Sequence, residues 1–210
     1  MIALFFALAL PLIEVPVSTP GDRFAVVVSG DGGWRKIDAA IAQRLRTRGI
    51  PTVGLDAAAY YRTRRTPEES AEALEAIILH YRARWHRDKV LLFGYSRGAD
   101  VLPFMINRLP TDVRSSISVI ALLGPEPLID FKFHPWWEIF HGRDPQFPVE
   151  PEIEQLRNEN VVCVYGLRET TSLCPLLDPT AFAIIAEPGG HHFAGSYGQL
   201  VDAVLARARP

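Results

Sequence analysis

With 210 residues, 48% of them hydrophobic, the chain is long enough for one domain with a sizeable core and too short for two ordinary ones. A formal net charge of -2, with basic residues spread along the chain, leaves no electrostatic footprint for nucleic acid. Nucleic-acid binding is therefore excluded as a leading function.

The N-terminal stretch Met1 to Leu10 (MIALFFALAL) is strongly apolar, but it is about half of the roughly 20 residues a membrane-spanning helix needs. Ala7-Leu8-Ala9 resembles a signal cleavage pattern, yet no Lys or Arg precedes the apolar run. Residues 1–10 thus read either as the remnant of a longer secretory signal or as a first buried strand, and 11–210 as a single domain. After them, short β-branched runs alternate with segments of helical period. Strands are expected at Leu12 to Val17, Phe24 to Ser29, Thr52 to Leu55, Val90 to Tyr95, Ile117 to Leu123, Val161 to Tyr165 and Phe182 to Ala186. Several are continuously apolar, as strands covered on both faces should be. The fold class is α/β, a mainly parallel sheet flanked by helices on both faces.

Helices are expected after Arg35, after Ser96 and from about Ser196 to Arg207, where Tyr197, Leu200, Val201, Val204 and Leu205 form the buried stripe. The clearest starts at Thr66. There Thr66-Pro67-Glu68-Glu69 combines an N-cap, a proline at the first helical position and the Glu of a capping box. Ala71, Leu74, Ile78, Tyr81 and Trp85 then recur at spacings of three and four, so this helix is scaffold. The segment Pro125 to Pro151 breaks the alternation and is rich in aromatics (Phe131, Phe133, Trp136, Trp137, Phe140, Phe147). It reads either as a lid or as an irregular loop whose aromatics cover the core.

Gly94-Tyr95-Ser96-Arg97-Gly98 matches G-x-S-x-G between a buried strand and a helix, the context of a nucleophile elbow. The glycines allow helix and neighbouring strand to approach, and the tight turn lifts Ser96 clear of the sheet near the positive end of the helix dipole. This combination points to a serine hydrolase of the α/β-hydrolase fold. A serine hydroxyl needs a base, and His191-His192 follow the last strand and Pro188-Gly189-Gly190, in the chain order Ser, acid, His. Comparing Pro-Gly-Gly-His-His-Phe with the common Pro-Gly-x-Gly-His-Phe ending places His192 on the catalytic position, with His191 supporting or substrate-facing. His80, His86, His134 and His141 read as surface or lid residues. The acid belongs in the loop after the penultimate strand. Glu169, three residues past Gly166, is preferred, with Asp178 in reserve.

Ser29-Gly30-Asp31-Gly32-Gly33-Trp34 links an early strand to a helix, where this fold supplies one backbone N–H to the oxyanion while the residue after the nucleophile supplies the other. By position these are Asp31 and Arg97, and Gly30, Gly32, Trp34 and Tyr95 are expected to line the substrate. The run lacks the ending of a P-loop and does not fit G-x-G-x-x-G, so no nucleotide cofactor is expected. Cys163 and Cys174 lack the partners of a zinc site, and no metal is expected. They are either two thiols in a reducing cytosol or one disulfide closing a short loop in an oxidising compartment. Taken with the apolar N-terminus, the disulfide is favoured.

These motifs resemble those of the VirJ/AcvB family of bacterial virulence proteins. The matching stretches are LPLIEVP with Leu12, Glu14 and Pro16, SGDGGW at Ser29 to Trp34, GLDAAAYY followed by RTPEES, GYSRGADVLP at Gly94 to Pro103, ALLGP at Ala121 to Pro125, CVYG with its second Cys, and PGGHHF at Pro188 to Phe193. Two departures from the family pattern are Arg97, where an apolar residue is expected, and Thr170-Thr171 in a loop that is usually more acidic. The resemblance implies a periplasmic hydrolase acting on lysyl-phosphatidylglycerol, an aminoacylated membrane phospholipid, and for some members an association with type IV secretion. The expected partners are thus that lipid at the membrane surface and, in the competing reading, a secretion-system protein bound by a hydrolase scaffold; the chain itself is expected to be a monomer. The residues add a reason for the lipid: its amine lies beside the scissile carbonyl, and the Asp31 carboxylate could face it.

Overall fold

The computed structural model describes residues 10–132, 134 and 146–208. The apolar run that reads as a signal remnant, Met1 to Leu10, lies outside the described residues except for Leu10, as do Phe133, Trp136, Trp137 and Phe140 of the aromatic insert.

Seven strands form one sheet in the order β1-β3-β2-β4-β5-β8-β9: β1 (Leu12–Val15), β2 (Arg23–Val28), β3 (Thr52–Leu55), β4 (Lys89–Tyr95), β5 (Ile117–Leu123), β8 (Val161–Gly166) and β9 (Ala183–Glu187). Only β1 runs antiparallel, pairing Leu12 with Leu55 and Val15 with Thr52. The other pairs are parallel, with Val26 opposite both Val53 and Leu92. These are the seven runs anticipated above, with ends moved by a residue or two. The central strands β2, β4 and β5 are buried along nearly their whole length, which explains their unbroken apolar sequences.

Helices cover both faces. Against one pack α3 (Pro67–Trp85) and α4 (Arg97–Asn107), with Leu74, Ile78, Tyr81, Leu102 and Met105 meeting Val26, Val28, Val90 and Leu92. Against the other pack α1 (Lys36–Thr47) and α7 (Tyr197–Leu205), with Ile41, Leu45, Leu200 and Val204 meeting Ala25, Val27, Leu91 and Phe93. The Thr66 capping box forms as expected: Thr66 Oγ1 accepts from Glu69 N–H at 3.1 Å and Glu69 Oε2 accepts from Thr66 N–H at 2.8 Å. Short helices α2 (Ala57–Tyr60), α5 (Thr111–Arg114) and α6 (Glu150–Glu154), and a two-stranded ribbon of β6 (Leu128–Ile129) and β7 (Phe147–Pro148), were not anticipated.

The ribbon belongs to the insert. Its described aromatics turn inward: Phe131 meets Tyr61, Phe104 and Phe147 edge-on, with centroids 5.3 to 6.0 Å apart. Phe131 and Phe147 therefore cover the core, as the plainer of the two readings has it. Cys163 in β8 and Cys174 in the turn beyond it are joined as a disulfide. No helix among the described residues is long and apolar enough to cross a membrane.

Candidate active site

Ser96 sits between β4 and α4 with φ 52° and ψ -121°, a conformation a side chain adopts only under constraint. The constraint is packing around two glycines. A Cβ on Gly98 would lie 2.0 Å from the Val28 carbonyl oxygen, and one on Gly94 would lie 2.4 Å from the Gly98 carbonyl oxygen. Helix and strand can approach this closely only without those side chains, and Ser96 N–H is fixed by donating to the Leu123 carbonyl at 2.9 Å. A third glycine, Gly30, faces the nucleophile candidate, since a Cβ there would come within 3.2 Å of Ser96 Cβ.

Glu169 lies in the loop after β8 with its side chain only 5% exposed. Oε2 accepts from Gly166 N–H at 2.8 Å, and Oε1 is hydrogen-bonded to Nδ1 of His191. The expectation that His192 occupies the position facing the acid is thus corrected: His191 meets Glu169. The cause is the backbone of Pro188-Gly189-Gly190. Gly189 takes φ +98°, Gly190 accepts from Phe193 N–H at 2.8 Å, and the Gly190 carbonyl sits where a Cβ on Gly166 would be, 2.2 Å away. The turn therefore carries the first of the two histidines over the end of β8. Alignment on the following Phe cannot register this. His192 instead shares Nδ1 with the Tyr95 hydroxyl at 2.8 Å, and the same hydroxyl lies 3.3 Å from the His191 carbonyl. Asp178, the reserve acid, is half-buried and bonded to Thr180 and Arg157, not to either histidine.

Gly124 is a residue that the sequence reasoning missed. It directly follows β5 with φ +65°, and a Cβ there would lie 2.9 Å from His191 Cε1 and 3.0 Å from Glu169 Oε1. The imidazole and carboxylate rest on bare backbone. A glycine before a proline directly after a buried strand, as in Ala121 to Pro125, was the available signal.

Asp31 and Arg97 come together, though not only through their backbones. Neither backbone N–H is hydrogen-bonded among the described residues, so both remain available as donors. The side chains, however, form an ion pair: Arg97 Nε donates to Asp31 Oδ1, and Nη1 donates to the Asp130 carbonyl at 2.7 Å. Arg97 is buried, which works against its charge, but Asp31 and Asp130 outweigh that cost and hold its pKa above the ordinary value. The expectation that the Asp31 carboxylate faces a substrate amine is therefore corrected, because that carboxylate is already engaged by a guanidinium.

Ser96, Gly30, Asp31, Gly32, Tyr95, His191 and His192 all line one cavity of about 470 Å³. Trp34, also expected there, does not. Its indole occupies the slot left by the missing side chain of Gly54 in β3, where a Cβ would fall 2.0 Å from the ring. Burial holds the Tyr95 hydroxyl well above its ordinary pKa, with Tyr197, Asp38 and Glu169 adding to the effect, so it stays a neutral phenol. A serine on a strained turn, an imidazole held through Nδ1 by a buried carboxylate, and two unused N–H groups are the parts required for nucleophilic acyl transfer. Among the described residues no group of His, Cys, Asp and Glu is arranged to hold a metal ion.

The architecture is that of the α/β hydrolases. Est1E from Butyrivibrio proteoclasticus, solved with ferulic acid, superposes with a TM-score of 0.63 at 12% identity, over 93% of this chain and 92% of that one. XC6422 from Xanthomonas campestris, described as an α/β serine hydrolase without lid, gives 0.58 at 15% identity, over 95% and 89%. A monoacylglycerol lipase from Paleococcus ferrophilus gives 0.61 at 15% identity, over 94% and 99%. No curated protein sequence matches the chain at a significant level. The family model described as "Bacterial virulence protein (VirJ)" matches residues 22–210, nine-tenths of the chain, and the protein belongs to the VirJ family.

Proposed function

We propose that this protein is a serine ester hydrolase that removes the aminoacyl group from an aminoacylated membrane phospholipid, with lysyl-phosphatidylglycerol the leading substrate. The observation that carries the hydrolase reading is that His191, held by Glu169, lines the same cavity as Ser96. With Nδ1 committed to Glu169, the Nε2 of His191 is left to take the Ser96 proton as Oγ attacks the ester carbonyl. The backbone N–H groups of Asp31 and Arg97 receive the oxyanion. The ester C–O bond then breaks, His191 returns the proton to the departing glycerol hydroxyl of the lipid, and water releases the amino acid from Ser96 by the same route. His192 and Tyr95 hold each other and stand beside this sequence. The family resemblance supports the lipid, and the Cys163–Cys174 disulfide suits an oxidising compartment; both favour a periplasmic reaction at the membrane surface.

The test combines fluorophosphonate labelling with lysine release from vesicles containing lysyl-phosphatidylglycerol. Wild type is expected to label at Ser96 and release lysine, and Ser96→Ala to lose both while retaining its thermal unfolding transition. Labelling without lysine release overturns the lipid. Absence of labelling overturns the hydrolase and leaves a binding role within a secretion system.

A further inference from the structure

Asp38, in the first turn of α1, is 1% exposed and lies on the wall of the cavity that holds Ser96. One of its oxygens has a local duty: Oδ2 accepts from the Arg35 N–H at 2.9 Å, closing the helix N-terminus. The other oxygen, Oδ1, is buried and has no hydrogen-bond partner among the described residues. Buried carboxylate oxygens are nearly always paired, because an unpaired one forfeits its hydration without return. Burial accordingly raises the pKa of Asp38 to about 6, with the Asp56 carboxylate adding to the rise and the Arg35 N–H opposing it.

The surrounding charges do not compensate it. The Arg35 guanidinium is turned to the Gly32 carbonyl at 2.6 Å, and the Lys36 side chain is exposed. Asp56 spends its oxygens on Ala59 and Trp34 N–H groups. On the same cavity stand the neutral Tyr95 phenol and His192, which are bonded to one another. Of the other carboxylates at this site, Asp31 is exposed and paired with Arg97, and Glu169 is paired with His191, so among the described residues Asp38 alone holds a buried carboxylate oxygen without a partner.

We propose that Asp38 is the subsite for the ammonium group of the aminoacyl moiety: its unpartnered Oδ1 receives the cation and selects aminoacyl esters over neutral acyl esters. This rests on the aminoacyl-ester reading above and names the residue that enforces it. A bound ammonium would supply both the missing hydrogen bond and the missing counter-charge, so the unfavourable burial in the empty site becomes binding selectivity in the occupied one. A purely structural cap would need only Oδ2.

Asp38→Asn separates the two roles, since the amide oxygen can still accept from Arg35 N–H while the charge is gone. The probes are lysine methyl ester and the amine-free methyl ester of the same chain length. We expect the wild-type preference for the lysine ester, as a ratio of kcat/KM values, to fall about tenfold or more in Asp38→Asn, through KM. An unchanged ratio overturns the subsite, as does a wild type with no preference for the amine. In parallel, lysinamide but not hexanamide is expected to protect wild-type Ser96 from fluorophosphonate, a readout that survives even if the variant does not fold; equal protection overturns the proposal. A wild type that prefers lysine methyl ester yet releases no lysine from vesicles supports the Asp38 subsite while overturning the lipid substrate.

Discussion

Replacing each of the two adjacent histidines separately tests the reversal of their roles. His191 holds the buried Glu169 through Nδ1, and Glu169 is in turn fixed by Gly166 N–H, so truncating His191 removes the base and leaves its acid without a partner. His192 makes one hydrogen bond, to a neutral phenol. A base within a serine-histidine-acid unit accounts for at least about 10⁴-fold in rate, or about 5.5 kcal/mol of transition-state stabilisation. A single neutral hydrogen bond contributes about 0.5 to 1.5 kcal/mol, which is at most about tenfold. His191→Ala is therefore expected to lower kcat by about 10⁴-fold and His192→Ala by about tenfold or less. The assay is single-turnover acylation with a chromogenic ester, accompanied by thermal melts of both variants. Equal losses in the two variants, or a His191→Ala variant within tenfold of wild type, would refute the assignment.

The disulfide and the buried carboxylate on α1 give two further expectations. Cys163 and Cys174 are both fully buried and close the loop carrying Glu169. Replacing both by Ser is expected to cost about 2 to 3 kcal/mol in urea unfolding and to lower kcat with it, and denatured wild-type protein isolated without added reductant should show no free thiol until reductant is added. Two titratable thiols in that protein would remove the clamp from the account. Asp38 has a folded pKa of about 6 against an ordinary 3.8, so its stabilising contribution is fully present below the lower value and is lost as pH rises through the upper one. That rise corresponds to a cost of at most about 3 kcal/mol above pH 6. Asp38→Asn should thus gain on wild type as urea unfolding is moved from about pH 4 to about pH 8; a difference that does not change with pH contradicts the burial argument.

Much of the scaffold is legible because its chemistry is local. Strands sandwiched between helices must be apolar on both faces, and Val90 to Phe93 or Ile117 to Leu123 carry that requirement in consecutive residues. The α3 start is legible because Thr66 and Glu69 satisfy each other's backbone donors within one turn. Helices α2, α5 and α6 are four or five residues long, too short to develop a 3.6-residue period, and the ribbon pairs residues nearly twenty apart with no alternation to mark it. At the site, Ser96 and Glu169 were readable because each is set by its distance from the end of its strand. The choice between His191 and His192 was not, because it depends on how closely Gly190 can approach Gly166 in a neighbouring strand. Trp34 looked like a cavity residue from its place beside the glycines, and only the pairing of β3 with β2 shows that Gly54 offers its ring a slot.

The unusual arginine after the nucleophile candidate acquires a physical reason from its partners. In the proposed mechanism the two oxyanion donors come from separate loops, at Asp31 and Arg97, whose spacing must be held within a few tenths of an ångström for both to reach one oxygen. The same two residues are joined by their side chains. Arg97 also reaches the Asp130 carbonyl and lies 5.9 Å from the centre of the Tyr61 ring, so one guanidinium ties the elbow, the glycine loop and the start of the aromatic insert together. An apolar residue at position 97 could pack against Tyr61 but could not join those three segments. The charge that makes this tie also engages the Asp31 carboxylate, so under the proposed aminoacyl-ester reading the anion for a substrate ammonium lies elsewhere. On the proposal above Asp38 is that anion: it lines the same cavity as Ser96, on a helix whose N-terminus it already closes.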